Sequence, residues 1–138
     1  MPELSTPNPE TPPGWLRQTA GAVPLEGEDA QRRRGGATSL LVVGAGAIGR
    51  THIDRIGRSP QLALAGIADP TDAGRALADS LGVPWAASHG ELLERVQPQG
   101  AIVATPNATH VPVALDCLAQ GVAALVEKPV ADTVAEAQ

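Results

Sequence analysis

From Ser39 to Gln138, short apolar runs alternate with stretches in which apolar residues recur at helical spacing. "SLLVV" (39–43), "LALAGIA" (62–68), "GAIVAT" (100–105) and "VAALV" (122–126) read as short buried strands. A weaker strand is expected at "VPWAA" (83–87). The helical spacing falls near residues 47–57, 73–81, 89–96 and 109–120. Ser88 with Glu91 makes a capping box for the third of these helices, and Thr133 with Glu136 makes another for a helix about one turn long before Gln138. Strand and helix alternating in this way predict an α/β fold, a parallel sheet with right-handed crossovers.

Residues 1–38 lack either rhythm. Six of the 13 prolines and five of the 15 glycines lie there. Such a segment buries too little apolar surface to offset the entropy of ordering it, so it reads as a disordered leader, with Trp15-Leu16 as its one docking candidate. Its "RRRGG" (Arg32–Gly36) precedes an apolar stretch, as in a twin-arginine export signal. Arg50, His52 and Asp54 interrupt that stretch at once, and no convincing small-residue cleavage site follows. The export reading is therefore disfavoured.

Composition narrows the class. A chain of 138 residues suits one domain and can bury a usable core. The net charge of −5 and only two aromatic residues, Trp15 and Trp85, argue against a nucleic-acid surface. The single cysteine, Cys117, excludes an internal disulfide and fits a reducing, cytoplasmic setting; it reads as a small apolar residue on a buried helix face. No apolar run approaches the roughly 20 residues of a membrane span.

The chemistry concentrates at "GAGAIG", where Gly44, Gly46 and Gly49 fit G-x-G-x-x-G between a predicted strand and a predicted helix. The three glycines allow a tight turn, close backbone approach to a pyrophosphate, and close packing of helix on strand. A helix starting near Ala47 directs the free N–H groups of Ala47, Ile48 and Gly49 and the positive end of its dipole at the phosphates. Asp69 lies 20 positions beyond Gly49 at the end of the next strand, where a carboxylate accepts hydrogen bonds from the adenosine ribose. It also reads as a turn residue in "ADPTD", and the two roles are compatible. With Asp72 nearby and Arg75 the first arginine beyond it, a 2′-phosphate is poorly received, so NAD is expected in preference to NADP. The sheet is then of the Rossmann type, doubly wound.

Two further stretches, "ATPNATH" (104–110) and "VEKPV" (126–130), close the fourth and fifth strands. With "GAGAIGRTH" and "IADP" they resemble the Gfo/Idh/MocA family of oxidoreductases, over Ser39 to Gln138. The resemblance implies that Thr105, Pro106 and Asn107 lie along the nicotinamide side of the dinucleotide. It also implies that Lys128 reaches toward the reacting hydroxyl and that Lys128-Pro129 is a cis bond. Lys128 is the one lysine of the chain, an ordinary exposed ammonium unless an active site surrounds it, in which case its charge favours an alkoxide-like oxygen. Glu127 either orients it or pairs with it. His110, beside the T-P-N segment, is a further cofactor contact; His52 is read as packed and structural, and His89 as solvated. The histidine spacings form no metal-site pattern.

Family members continue past this point, with a sixth strand and a second α/β domain that carries the substrate pocket and the usual general-base histidine. The expectation is therefore a truncated dinucleotide-binding domain over 39–138, its sheet incomplete at the C-terminal edge. Such a chain is the NAD-binding half of a dehydrogenase for a sugar, polyol or related hydroxy compound. The alternatives are a non-catalytic NAD-binding module, as a sensor or partner subunit, and an inactive gene fragment. An edge strand "VAALV" without proline or charge implies self-association, or pairing with a missing C-terminal half.

Overall fold

A computed structural model describes residues 36–138. The proposed leader up to residue 35, with Trp15 and the arginines of "RRRGG", lies outside the described residues. Strands β1 (Thr38–Val43), β2 (Leu62–Ala68), β3 (Trp85–Ala86), β4 (Gly100–Val103) and β5 (Ala123–Val126) form one parallel sheet in the order β3-β2-β1-β4-β5. Helices α1 (Ala47–Arg58), α2 (Asp72–Leu81), α3 (His89–Val96), α4 (His110–Ala119) and α5 (Val134–Ala137) alternate with the strands or follow them.

The alternation of side chains along each strand explains the two layers of helix. Val42 and Ile102 point into one core, with Ile53 and Ile56 of α1 and Ala78 and Leu81 of α2. Leu41, Val43 and Val103 point into the other, with Leu92 and Leu93 of α3 and Val113 and Cys117 of α4. Both faces of the central strands are thus buried, which is why they read as unbroken apolar runs. The chain leaves β1 toward β2 and β3, then crosses to β4 and β5, so the order reverses beside β1. Ligands of such sheets sit at the carboxyl ends of the strands next to that reversal.

Several boundaries differ from the sequence reading. β1 begins at Thr38, inside the stretch assigned to the leader, because the Thr38 N–H donates to the Gln61 carbonyl at 2.7 Å. "VPWAA" contributes only Trp85 and Ala86 to the sheet, since this edge strand pairs with β2 through Ile67 and Ala68 alone. The helix expected over 109–120 is divided, with a 3-10 turn at Asn107–Thr109 before α4. Ser88 is the N-cap of α3, but its side chain makes no capping bond, and Glu91 instead meets Arg95 at 3.4 Å. The Thr133 cap does form, its hydroxyl accepting the Glu136 N–H at 3.3 Å. At the other border β5 is the sheet edge among the described residues, with Leu125 56% exposed.

Candidate dinucleotide site

The glycine turn follows β1 directly, and each of its glycines has a separate reason. Gly44 has φ +93°, and a Cβ there would come within 2.5 Å of the Ala104 carbonyl oxygen. Gly49 is buried in the first turn of α1, where a Cβ would overlap the Gly44 carbonyl, so only glycine lets helix and turn close together. Gly46 is different. A Cβ there would meet nothing within 4 Å, so its missing side chain leaves space above the turn rather than inside the protein. Gly46 is also the N-cap of α1; it has no side chain to cap the helix, and no acidic residue occupies the first turn. The N-terminal N–H groups of α1 are therefore left for an anion.

Above the turn lies a cleft of about 740 Å³ walled by the carboxyl ends of β1, β2 and β4. Gly44, Gly46, Ala47, Ile48, Asp69, Thr105 and Pro106 line it, joined by Thr71, Ser88, His89 and Val113. Ile48 is 53% exposed on its wall, an apolar surface for a ring or ribose to cover. The Thr105 hydroxyl is buried and has no hydrogen-bond partner among the described residues. A buried polar group without a partner is costly, so a ligand hydrogen bond would relieve it. The space over Gly46, the uncapped helix and the orphaned hydroxyl together fit a dinucleotide.

Asp69 is mostly engaged by the protein itself. One carboxylate oxygen accepts the Ala45 N–H at 2.7 Å, and the other accepts the Thr71 N–H at 2.8 Å and the Thr71 hydroxyl. Burial pushes its carboxyl up, but those bonds and the Arg50 charge more than offset this and leave it below the ordinary value. Asp69 therefore ties the end of β2 to the glycine turn, and Oδ2 keeps spare capacity for a ligand hydroxyl. The sequence reading missed Thr71, although a threonine directly before Asp72 is an N-cap signal; its hydroxyl also accepts the Gly74 N–H at 3.0 Å. Arg75 lies over the Trp85 ring, 5.2 Å from its centre, and the Trp85 indole N–H donates to the Asp69 carbonyl at 2.9 Å.

The remaining candidates lie outside the cleft. Gly49 packs beneath the turn, and Asn107 is exposed on the 3-10 turn. Lys128 is exposed just past β5, in a segment where the Lys128-Pro129 bond is cis. The two carboxylate roles foreseen for Glu127, orienting or pairing with the lysine ammonium, give way to another partner. Glu127 bonds the ring of His52, and this hydrogen bond is the main reason its carboxyl lies below the ordinary range. His52 is thus a partly buried residue of α1 held to Glu127, in line with its reading as packed. His89, expected to be solvated, instead meets Asp116 at 2.7 Å and lines the cleft. His110 is 1% exposed and does not line the cleft; its ring lies between the carbonyls of Thr105 and Pro129, each at 2.7 Å. Cys117 is fully buried, and burial pushes its thiol up.

Residues 38–138 match the family model described as "Oxidoreductase family, NAD-binding Rossmann fold" (GFO_IDH_MocA). The chain belongs to the Gfo/Idh/MocA oxidoreductase family. It is 34% identical over 99 residues to the rhizopine catabolism protein MocA of Rhizobium meliloti, covering 72% of this chain and 31% of MocA. It is 37% identical over 97 residues to inositol 2-dehydrogenase of Ralstonia nicotianae, covering 67% of this chain and 28% of that enzyme. Among solved structures, GenD2 from gentamicin A biosynthesis, in complex with NAD, is similar with a TM-score of 0.69 and 31% identity. That match covers 74% of this chain and 30% of GenD2. The chain therefore spans about three tenths of the length of these Gfo/Idh/MocA relatives, and the part it matches is their NAD-binding Rossmann domain. Among the described residues no helix is long and apolar enough to cross a membrane.

Proposed function

We propose that this chain is the NAD-binding half of a dehydrogenase that moves a hydride between a nicotinamide cofactor and a sugar, polyol or related hydroxy compound. The observation that carries the reading is the cleft over Gly46, with an uncapped helix on one side and the partnerless Thr105 hydroxyl on the other. The N–H groups at Ala47, Ile48 and Gly49 hold the pyrophosphate, and Oδ2 of Asp69 takes a ribose hydroxyl. Thr105, Pro106 and Asn107 border the nicotinamide side, and Ile48 covers part of the cofactor. When bound, the cofactor supplies the hydride acceptor. Lys128 supplies positive charge to the substrate oxygen as negative charge develops there. The name of the relative inositol 2-dehydrogenase supports a polyol-type substrate. The free, buried thiol of Cys117 fits work in the cytoplasm.

NAD is preferred over NADP for two physical reasons. The buried Asp69 carboxylate repels a 2′-phosphate, and Arg75 is drawn onto Trp85 rather than toward the ribose site. Nicotinamide fluorescence tests this: NADH binds the chain more tightly than NADPH, and equal affinities would reject the ribose assignment.

A second reading, an NAD-binding module without turnover of its own, is favoured by the histidines. All three are engaged: His52 by Glu127, His89 by Asp116, and His110 by two carbonyls. On this reading the group that takes the hydroxyl proton is supplied by a partner.

A further inference from the structure

A neutral imidazole has one N–H donor and one acceptor nitrogen, whereas the imidazolium donates from both. His110 is almost wholly buried, and both of its ring nitrogens face acceptors: Nδ1 the Pro129 carbonyl and Nε2 the Thr105 carbonyl, each at 2.7 Å. In a neutral ring one bare nitrogen would press its lone pair against a carbonyl oxygen at hydrogen-bond distance, with no water to separate them. An acceptor opposite each ring nitrogen matches a ring that donates twice. Burial penalises the cation, and the two carbonyl dipoles that face the ring nitrogens oppose that penalty. The two loops that His110 joins bear on the site. Thr105 borders the cleft, and Pro129 follows Lys128 directly. On the other side of Lys128, the Glu127 side chain is held by His52 from α1.

We propose that His110 is a buried imidazolium that donates from both ring nitrogens, and that it positions Lys128 by tying Pro129 to the Thr105 segment. It is a positioning residue, not a cofactor contact, and the proposal rests on Lys128 lying beside bound nicotinamide. His110 thus fixes the main chain after Lys128, as His52 fixes the side chain before it. The ammonium itself stays free to meet a ligand.

Two measurements test this. Long-range ¹H–¹⁵N spectra of the wild-type chain at neutral pH read the His110 ring directly. Both nitrogens are protonated if the proposal holds, and one unprotonated ring nitrogen overturns it whether or not NADH binds. The second measurement uses the single lysine, followed by mass spectrometry after treatment with an amine acylating reagent, with and without NADH. NADH shields Lys128 severalfold in the wild type. His110→Asn keeps an amide donor where Nδ1 stands, toward Pro129, and retains most of the shielding. His110→Gln keeps a donor only where Nε2 stands, toward Thr105, and loses it. Equal shielding in the two variants would reject the positioning role, since a purely structural histidine would respond alike to both. If NADH fails to bind the wild type, the proposed function falls, and the ring spectra alone decide the state of His110.

Discussion

Replacing Asp69 by asparagine changes little in size but reverses half of its hydrogen bonding. The aspartate accepts from Ala45 N–H on one oxygen and from the N–H and hydroxyl of Thr71 on the other. An asparagine amide in either orientation sets its NH₂ against one of those backbone N–H groups. A hydrogen bond to a charged acceptor contributes about 1.5–3 kcal/mol, and a buried donor left unpaired costs about 1–3 kcal/mol. These overlap for one bond, so Asp69→Asn is expected to destabilise by about 2–3 kcal/mol. Asp69→Ala loses both sides of the anchor and costs about 3–5 kcal/mol. For a domain of this size such losses lower Tm by roughly 10–20 °C in the asparagine variant and more in the alanine variant. Thermal and urea unfolding followed by circular dichroism read both. A wild-type Tm in Asp69→Asn would refute the carboxylate as anchor of the glycine turn, leaving ribose contact as its only use.

Acid should act through the same carboxylate. Asp69 is held below its ordinary value, so the unfolded chain takes up this proton first, near pH 3.9, and acid favours unfolding. Its stabilisation is complete above that pH and is lost as pH falls through the lower folded value. Wild-type Tm should therefore drop steeply in this window and Asp69→Asn less so; parallel acid limbs would contradict the assignment. The apolar edge of β5 gives a separate expectation. Ala123–Val126 carries no charge or proline and Leu125 is exposed, so the 138-residue chain self-associates at raised concentration. Light scattering that stays monomeric would reject this.

Most of the fold was legible in the sequence because buried parallel strands are apolar on both faces and the connecting helices carry a one-sided stripe. Boundaries slipped where the deciding interaction is non-local. Thr38 joins β1 through Gln61, 23 positions away, and Ser88 sits at a helix start without making the bond its residue type suggests. The glycine turn was legible because steric exclusion at Gly44 and Gly49 leaves no other residue type. The histidine contacts were not. His52 meets Glu127 across 75 positions, and His110 meets Pro129 across 19, distances over which spacing carries no signal. Asp69 was found by its position, but its grip on Ala45 depends on how the turn folds back over β2.

The central claim, that the glycine turn cradles a dinucleotide, is tested most directly by calorimetric titration of NADH into the wild-type chain and into Gly46→Val. A Cβ at Gly46 would meet nothing within 4 Å and φ is −71°, so the variant should fold like the wild type while its isopropyl group fills the pyrophosphate space. The account predicts saturable one-to-one binding to the wild type and its loss in the folded variant. Equal NADH binding by the two proteins, or none by the wild type, would contradict it.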